Sequence, residues 1–256
     1  MEAITVRYVK SRPKLKEPIL IEGLPGVGNV GKLAAEHLLD ELKAKKFAEI
    51  YSKDFPPQVF VKPDGTVELV KNEFYYYKSK KSGTPDLLIL TGDYQGLTTQ
   101  GQYELSDSIL DIAEEFGVKR IFTLGGYGLG RMIKEPGVLG AATDKKLVSE
   151  MKKFGIEFRE DEPGGGIVGA SGLLLGFGAL RGMEGICLMG ETSGYLVDPK
   201  SARAVLVILT KILGVEIDMD ELELRAKEID HIAQQIREME RIQKDKGTGE
   251  DLRYIG

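Results

Sequence analysis

Pro18-Ile19-Leu20-Ile21-Glu22-Gly23-Leu24-Pro25-Gly26-Val27-Gly28-Asn29-Val30-Gly31 opens as an apolar run of strand length and closes in a glycine-rich turn. Such a run, bounded by turn residues, reads as a strand buried on both faces. Lys32 to Leu42 then places Leu33, Leu38 and Leu42 at helical spacing without an internal Gly or Pro, so strand, turn and helix follow in order. The unit recurs downstream. Asp86-Leu87-Leu88-Ile89-Leu90 stops at Thr91-Gly92-Asp93 ahead of a helical stretch from about Tyr103 to Phe116. Arg120-Ile121-Phe122-Thr123-Leu124 leads into Gly125-Gly126-Tyr127-Gly128-Leu129-Gly130, and Gly185-Ile186-Cys187-Leu188-Met189 leads into Gly190-Glu191-Thr192. Apolar strands that each end in a glycine turn, most followed by a helical pattern, predict an α/β fold with a largely parallel sheet and helices on both faces.

Around these units the pattern changes twice. Phe47 to Tyr51, Gln58 to Val61 and Val67 to Tyr77 are rich in Val, Phe and Tyr, and Pro63-Asp64-Gly65-Thr66 has hairpin chemistry, which predicts an antiparallel excursion. Ala170 to Leu180 and Lys200 to Leu213 read as apolar helices, the first lined with small residues that allow close backbone approach. No linker composition interrupts the chain before residue 214, so residues 1–214 are expected to form one core domain. From Asp218 to about Asp245 the sequence becomes dense in charge, and Leu222, Ile229 and Ile236 recur every seven residues with Ile232 and Met239 filling the seam. This predicts an amphipathic helix within 215–246 that meets a second copy or another partner; folding back onto its own domain is the alternative. Residues 247–256 read as a flexible tail ending in Leu252, Tyr254, Ile255 and Gly256.

The overall composition narrows the function classes. The chain has 256 residues, 42% of them hydrophobic, enough to bury a sizeable core, and its formal charge of −5 gives no electrostatic footprint for nucleic acid. No segment supplies about 18 uninterrupted apolar residues and no leader pattern opens the chain, so no membrane partner is expected and the cytoplasm is the default location. The single cysteine, Cys187, sits in an apolar strand and is expected to pack as a small hydrophobe.

Gly26-x-Gly28-x-x-Gly31 follows a strand and opens a helix, the context of a dinucleotide-binding turn, whose helix N-terminus can hold a pyrophosphate. The acid required about 20 residues later could be Glu49, but it lies inside an apolar strand pattern. Leu33 stands where a P-loop needs a hydroxyl for magnesium. A tight structural turn is therefore the expected role, and no cofactor is expected. Asp93, Glu191 and Asp198 fall at or near strand ends, where open α/β sheets place ligands, and Gly26, Gly28, Asp93, Gln95 and Glu191 are the cleft candidates. The histidines, His37 and His231, lie on helical stretches with no metal spacing, and no Ser elbow or Cys–His pair occurs. No catalytic or metal-ligating residue is nominated.

Five segments in order, Gly23 to Gly31, Gly92-Asp93-Tyr94-Gln95, Thr123-Leu124-Gly125-Gly126-Tyr127, Gly169-Ala170-Ser171-Gly172-Leu173-Leu174 and Glu191-Thr192-Ser193-Gly194, make the chain resemble the archaeal proteasome assembly chaperone family from about Pro18 to Leu213. The resemblance implies a nucleoside-phosphorylase-like fold, homo-oligomers, and non-enzymatic assistance to 20S proteasome assembly through α-subunits, with a related paralogue as an open further partner. Some members end in a hydrophobic-tyrosine-any tail that enters pockets between α-subunits. Here Tyr254 is antepenultimate and Arg253 precedes it. A nucleoside- or nucleotide-binding protein or enzyme using the strand-end cleft is the alternative.

Overall fold

The computed structural model describes residues 3–159, 165–229 and 231–232. In chain order the described residues form β1 (Ile4–Tyr8), β2 (Ile19–Gly23), α1 (Val30–Glu41), β3 (Lys45–Ser52), β4 (Val59–Val61), β5 (Val67–Leu69), β6 (Asn72–Tyr77), β7 (Leu87–Gly92), α2 (Thr99–Glu115), β8 (Arg120–Gly128), β9 (Val138–Ala142), α3 (Lys145–Lys152), α4 (Ala170–Leu180), β10 (Glu184–Thr192) and α5 (Pro199–Leu213). A further helix, α6, begins at residue 220 and runs through 229. Eight strands form one sheet in the order β1-β3-β6-β7-β2-β8-β10-β9, while β4 and β5 form a separate hairpin. The four central strands, β7, β2, β8 and β10, are mutually parallel, and the flanking strands join antiparallel.

The parallel centre follows from the apolar runs. In β2, Leu20 and Ile21 point to opposite faces and both are fully buried, one in each of two hydrophobic clusters. Helices α1 and α5 cover the first face, α2 and α4 the second. Helix α5 shows why it seats there. Its Ala202, Val205, Leu206, Leu209 and Leu213 recur three and four residues apart and are buried together. Its ends are set locally: Asp198 accepts from Ser201 N at 3.0 Å with Pro199 in the first turn, and Gly214 closes the helix at φ 68°.

The expected hairpin at Pro63 to Thr66 joins β4 and β5, closed by Lys62 N donating to Thr66 O at 2.8 Å. The stretch Val67 to Tyr77 is split in two, because Val70 and Lys71 turn the chain from the hairpin into β6. On the hairpin, Val59 and Val61 pair across from Leu69 and Val67, so these four exposed side chains share one face. Strands β1 and β9 and helix α3 were not expected from the sequence. They are short and half-exposed, and β9 is made of Val138-Leu139-Gly140-Ala141-Ala142, with too little side chain for a strand signal.

Candidate functional site

Strands β7, β2, β8 and β10 run parallel, so their glycine turns gather along one edge of the sheet, the position where α/β folds present ligands. The first turn is spent on packing. Gly28 lies in the left-handed region at φ +61°, its carbonyl accepts from Asp198 N at 2.9 Å, and a Cβ there would stand 2.9 Å from Thr192 Oγ1. A Cβ on Gly31 would come within 2.0 Å of Leu124 O, so that glycine lets α1 lie directly on the backbone of β8. Gly26 faces open space. Two of the three fingerprint glycines therefore have a steric reason that needs no nucleotide. Lys32, just inside α1, donates to Gly92 O at 2.8 Å and ties the helix to the end of β7.

The polar candidates do not converge. Gln95 Nε2 donates to Pro25 O at 2.8 Å and its Oε1 accepts from Ala170 N at 2.9 Å, so this side chain braces the turn after β2 against the start of α4. Asp93 turns the other way: it accepts from Lys71 N at 3.0 Å while its own amide donates to Lys71 O at 2.9 Å. It faces a groove toward the hairpin, beside Lys46, Glu68, Lys71 and Glu73. Glu191 accepts from Arg159 Nη2 at 3.0 Å and from Gly137 N at 3.2 Å, beside β9, with the Arg159 guanidinium 5.0 Å from the Tyr127 ring centre. The ends of β7 and β10 are three strand spacings apart, roughly 14 Å. A general acid and base must reach the same substrate atoms, and Asp93 and Glu191 do not form such a pair.

Sequence reading missed a buried, strongly perturbed carboxyl in β2. Glu22, in β2, is fully buried; burial pushes its carboxyl up to about 7, against stabilising hydrogen bonds from Leu24 N at 2.9 Å and Ser171 Oγ at 3.0 Å. The register sets it beside Thr123 of β8, which in turn lies beside Cys187 of β10. Burial raises the Cys187 thiol to about 12, so it carries no thiolate nucleophile near neutrality. The only signal for Glu22 was a carboxylate closing an otherwise apolar strand. Among the described residues no group of three or more His, Cys, Asp or Glu could hold a metal ion. Nor is any helix long and apolar enough to cross a membrane among them.

The expected seam falls in two places. Leu222, expected to face a second copy, is 1% exposed within the cluster built by α1 and α5, and Ala226 is buried one turn later. The start of α6 thus folds onto its own domain, because the chain leaving α5 through Val215, Ile217 and Met219 packs on that same cluster and delivers Leu222 to it. His37 Nε2 lies 2.6 Å from Asp218 O, and Arg203 pairs with Glu223 at 2.6 Å, fixing the path. Ile229 is half-buried over a small cavity lined by Met132, Leu196, Val197 and Pro199, at the same sheet edge as the glycine turns. Ile232 is 46% exposed. Ile236, Met239, Leu252, Tyr254, Ile255 and Gly256 lie outside the described residues.

The structure of Pyrococcus furiosus PbaB, described as an archaeal proteasome activator, is 51% identical, with 93% of this chain and all of that one covered and a TM-score of 0.88. Pyrococcus furiosus PbaA, described as an archaeal homolog of proteasome-assembly chaperone, is 25% identical over 99% of this chain and 100% of that one, with a TM-score of 0.76. The uncharacterised protein MJ1210 of Methanocaldococcus jannaschii is 47% identical over 261 residues, covering 100% of this chain and 99% of its own. Residues 20–237 match the model of the PAC2 family, and the chain belongs to that family.

Proposed function

We propose that this chain is a non-enzymatic, proteasome-binding protein that acts as a homo-oligomer on 20S α-subunits, as an assembly chaperone or activator. The observation that carries the reading is 51% identity to a chain described as an archaeal proteasome activator, over the whole of that chain. Two features of the site agree with it. The strand-end carboxylates are engaged in bracing the fold and are held apart, and Cys187 is sealed in the core. Helix α6 also reaches the glycine-turn edge at Ile229, leaving residues 233–256 to follow from there. The oligomer contact is assigned to Ile229, Ile232, Ile236 and Met239, and the α-subunit contact to Leu252, Tyr254, Ile255 and Gly256. An aromatic anchor with a polar tip offers large contact area at low rotamer cost, and several tails on one oligomer add avidity.

The test is capture of purified proteasome α-subunits on the immobilised chain, run beside a thermal-shift screen with nucleosides and nucleotides. Saturable capture with no nucleotide-dependent shift is the expected result. A nucleotide that stabilises the chain, with α-subunits passing unretained, would transfer the function to the strand-end cleft.

A further inference from the structure

Lys14 and Lys16 lie on one loop and Lys78, Lys80 and Lys81 on another, and one carboxylate brings the two loops together. Asp86, just ahead of β7, accepts from Lys16 N through Oδ2 at 2.8 Å and from Ser79 N through Oδ1 at 2.9 Å, clamping the two loops side by side. The second loop is fixed further by Lys81 N donating to Ser79 Oγ at 3.2 Å and Thr84 N donating to Lys81 O at 3.3 Å. Together the loops line a groove of about 640 Å³. All five lysines are exposed, and none makes an ion pair with a described residue. Lys32, Lys46, Lys62 and Lys71, by contrast, are each paired with a glutamate.

Five unpaired ammonium groups in one groove, on a chain of net charge −5, are a concentrated charge of the minority sign. Their mutual repulsion is relieved when carboxylates enter between them. The groove has no aromatic ring on which a base could stack, and Leu15 is its one large apolar lining residue. The chain's net charge of −5 also opposes a long polyanion more than a short acidic segment. We propose that the groove formed by Lys14, Lys16, Lys78, Lys80 and Lys81 docks a short acidic segment of a partner protein. It lies where β2 and β7 begin, at the opposite end of the parallel strands from the glycine turns and from Ile229, so it is a contact surface separate from the glycine-turn end.

Fluorescence anisotropy with a labelled glutamate-rich decapeptide and the full-length chain tests this. Saturable binding is expected, weakening at least about tenfold between roughly 50 and 300 mM salt and at least about tenfold in the triple variant Lys78→Glu, Lys80→Glu, Lys81→Glu. The milder Lys→Gln triple variant is expected to lose part of the affinity with an unchanged melting curve. Lys145→Glu with Lys146→Glu on α3, and deletion of residues 247–256, are expected to leave the peptide affinity unchanged. The proposal is overturned by absence of saturable binding at low salt, by equal loss in the α3 variant, or by a single-stranded DNA decamer binding as tightly as the peptide.

Discussion

Glu22 is a carboxyl enclosed at the centre of a parallel sheet, and its ordinary value of 4.5 is raised to about 7 chiefly by burial. A raised acid favours folding fully below pH 4.5, and that contribution is lost as pH rises through 7, by about 3 kcal/mol in all. Glu22→Gln keeps a neutral group that can accept from Leu24 N, so the variant should exceed the parent in urea stability at pH 8.5 by about 1–3 kcal/mol, with the gap closing near pH 5. Equal stability differences at both values would place the ionisation elsewhere. Gly28→Val should cost at least about 2 kcal/mol, since it puts a branched side chain at positive φ against Thr192, and thermal unfolding measures this directly. At this scale the glycine pattern was legible as a turn, whereas its packing partners Leu124 and Thr192 come from distant strands. Asp93 and Glu191 shared the description of strand-end acids; strand order, which a linear pattern does not carry, puts two strands between them.

Among the elements, α6 separates two kinds of apolar spacing that look alike in sequence. Leu222 and Ala226 fill the domain's own core, while Ile232 stays exposed two turns later. Leu222→Ala should therefore lower stability by about 2–4 kcal/mol and leave the mass in solution equal to that of the parent chain. Ile229→Glu combined with Ile236→Glu should dissociate the oligomer in light scattering while circular dichroism retains the helical signal. A monomeric mass for the unmodified chain would remove the seam from the account. A seven-residue spacing specifies that a helix face seeks cover; which surface supplies it depends on where α5 delivers the chain. The central strands were legible because unbroken apolar runs have few other solutions, and the hairpin because Asp64-Gly65 marks its turn. Strands β1 and β9 gave no such signal, being short and at the sheet's two edges.

For the whole molecule, an α/β scaffold places its glycine turns and Ile229 of α6 at one end of the parallel strands, and the lysine groove at the other. We assign proteasome recognition to the chain end, in which Tyr254 is antepenultimate and Arg253 stands beside it. In the proposed oligomer, binding shared among several copies would make each tail's modest affinity sufficient, and a substitution removes the anchor from every copy at once. The most direct measurement is the equilibrium affinity of the full-length chain for proteasome α-subunits before and after Tyr254→Ala, with deletion of residues 247–256 as the limiting case. The account predicts at least about tenfold weakening from Tyr254→Ala, equivalent to about 1.4 kcal/mol, and loss of capture on deletion. Unchanged affinity in both variants, with capture abolished by charge reversal along α6, would contradict it and assign recognition to the helix and domain surface.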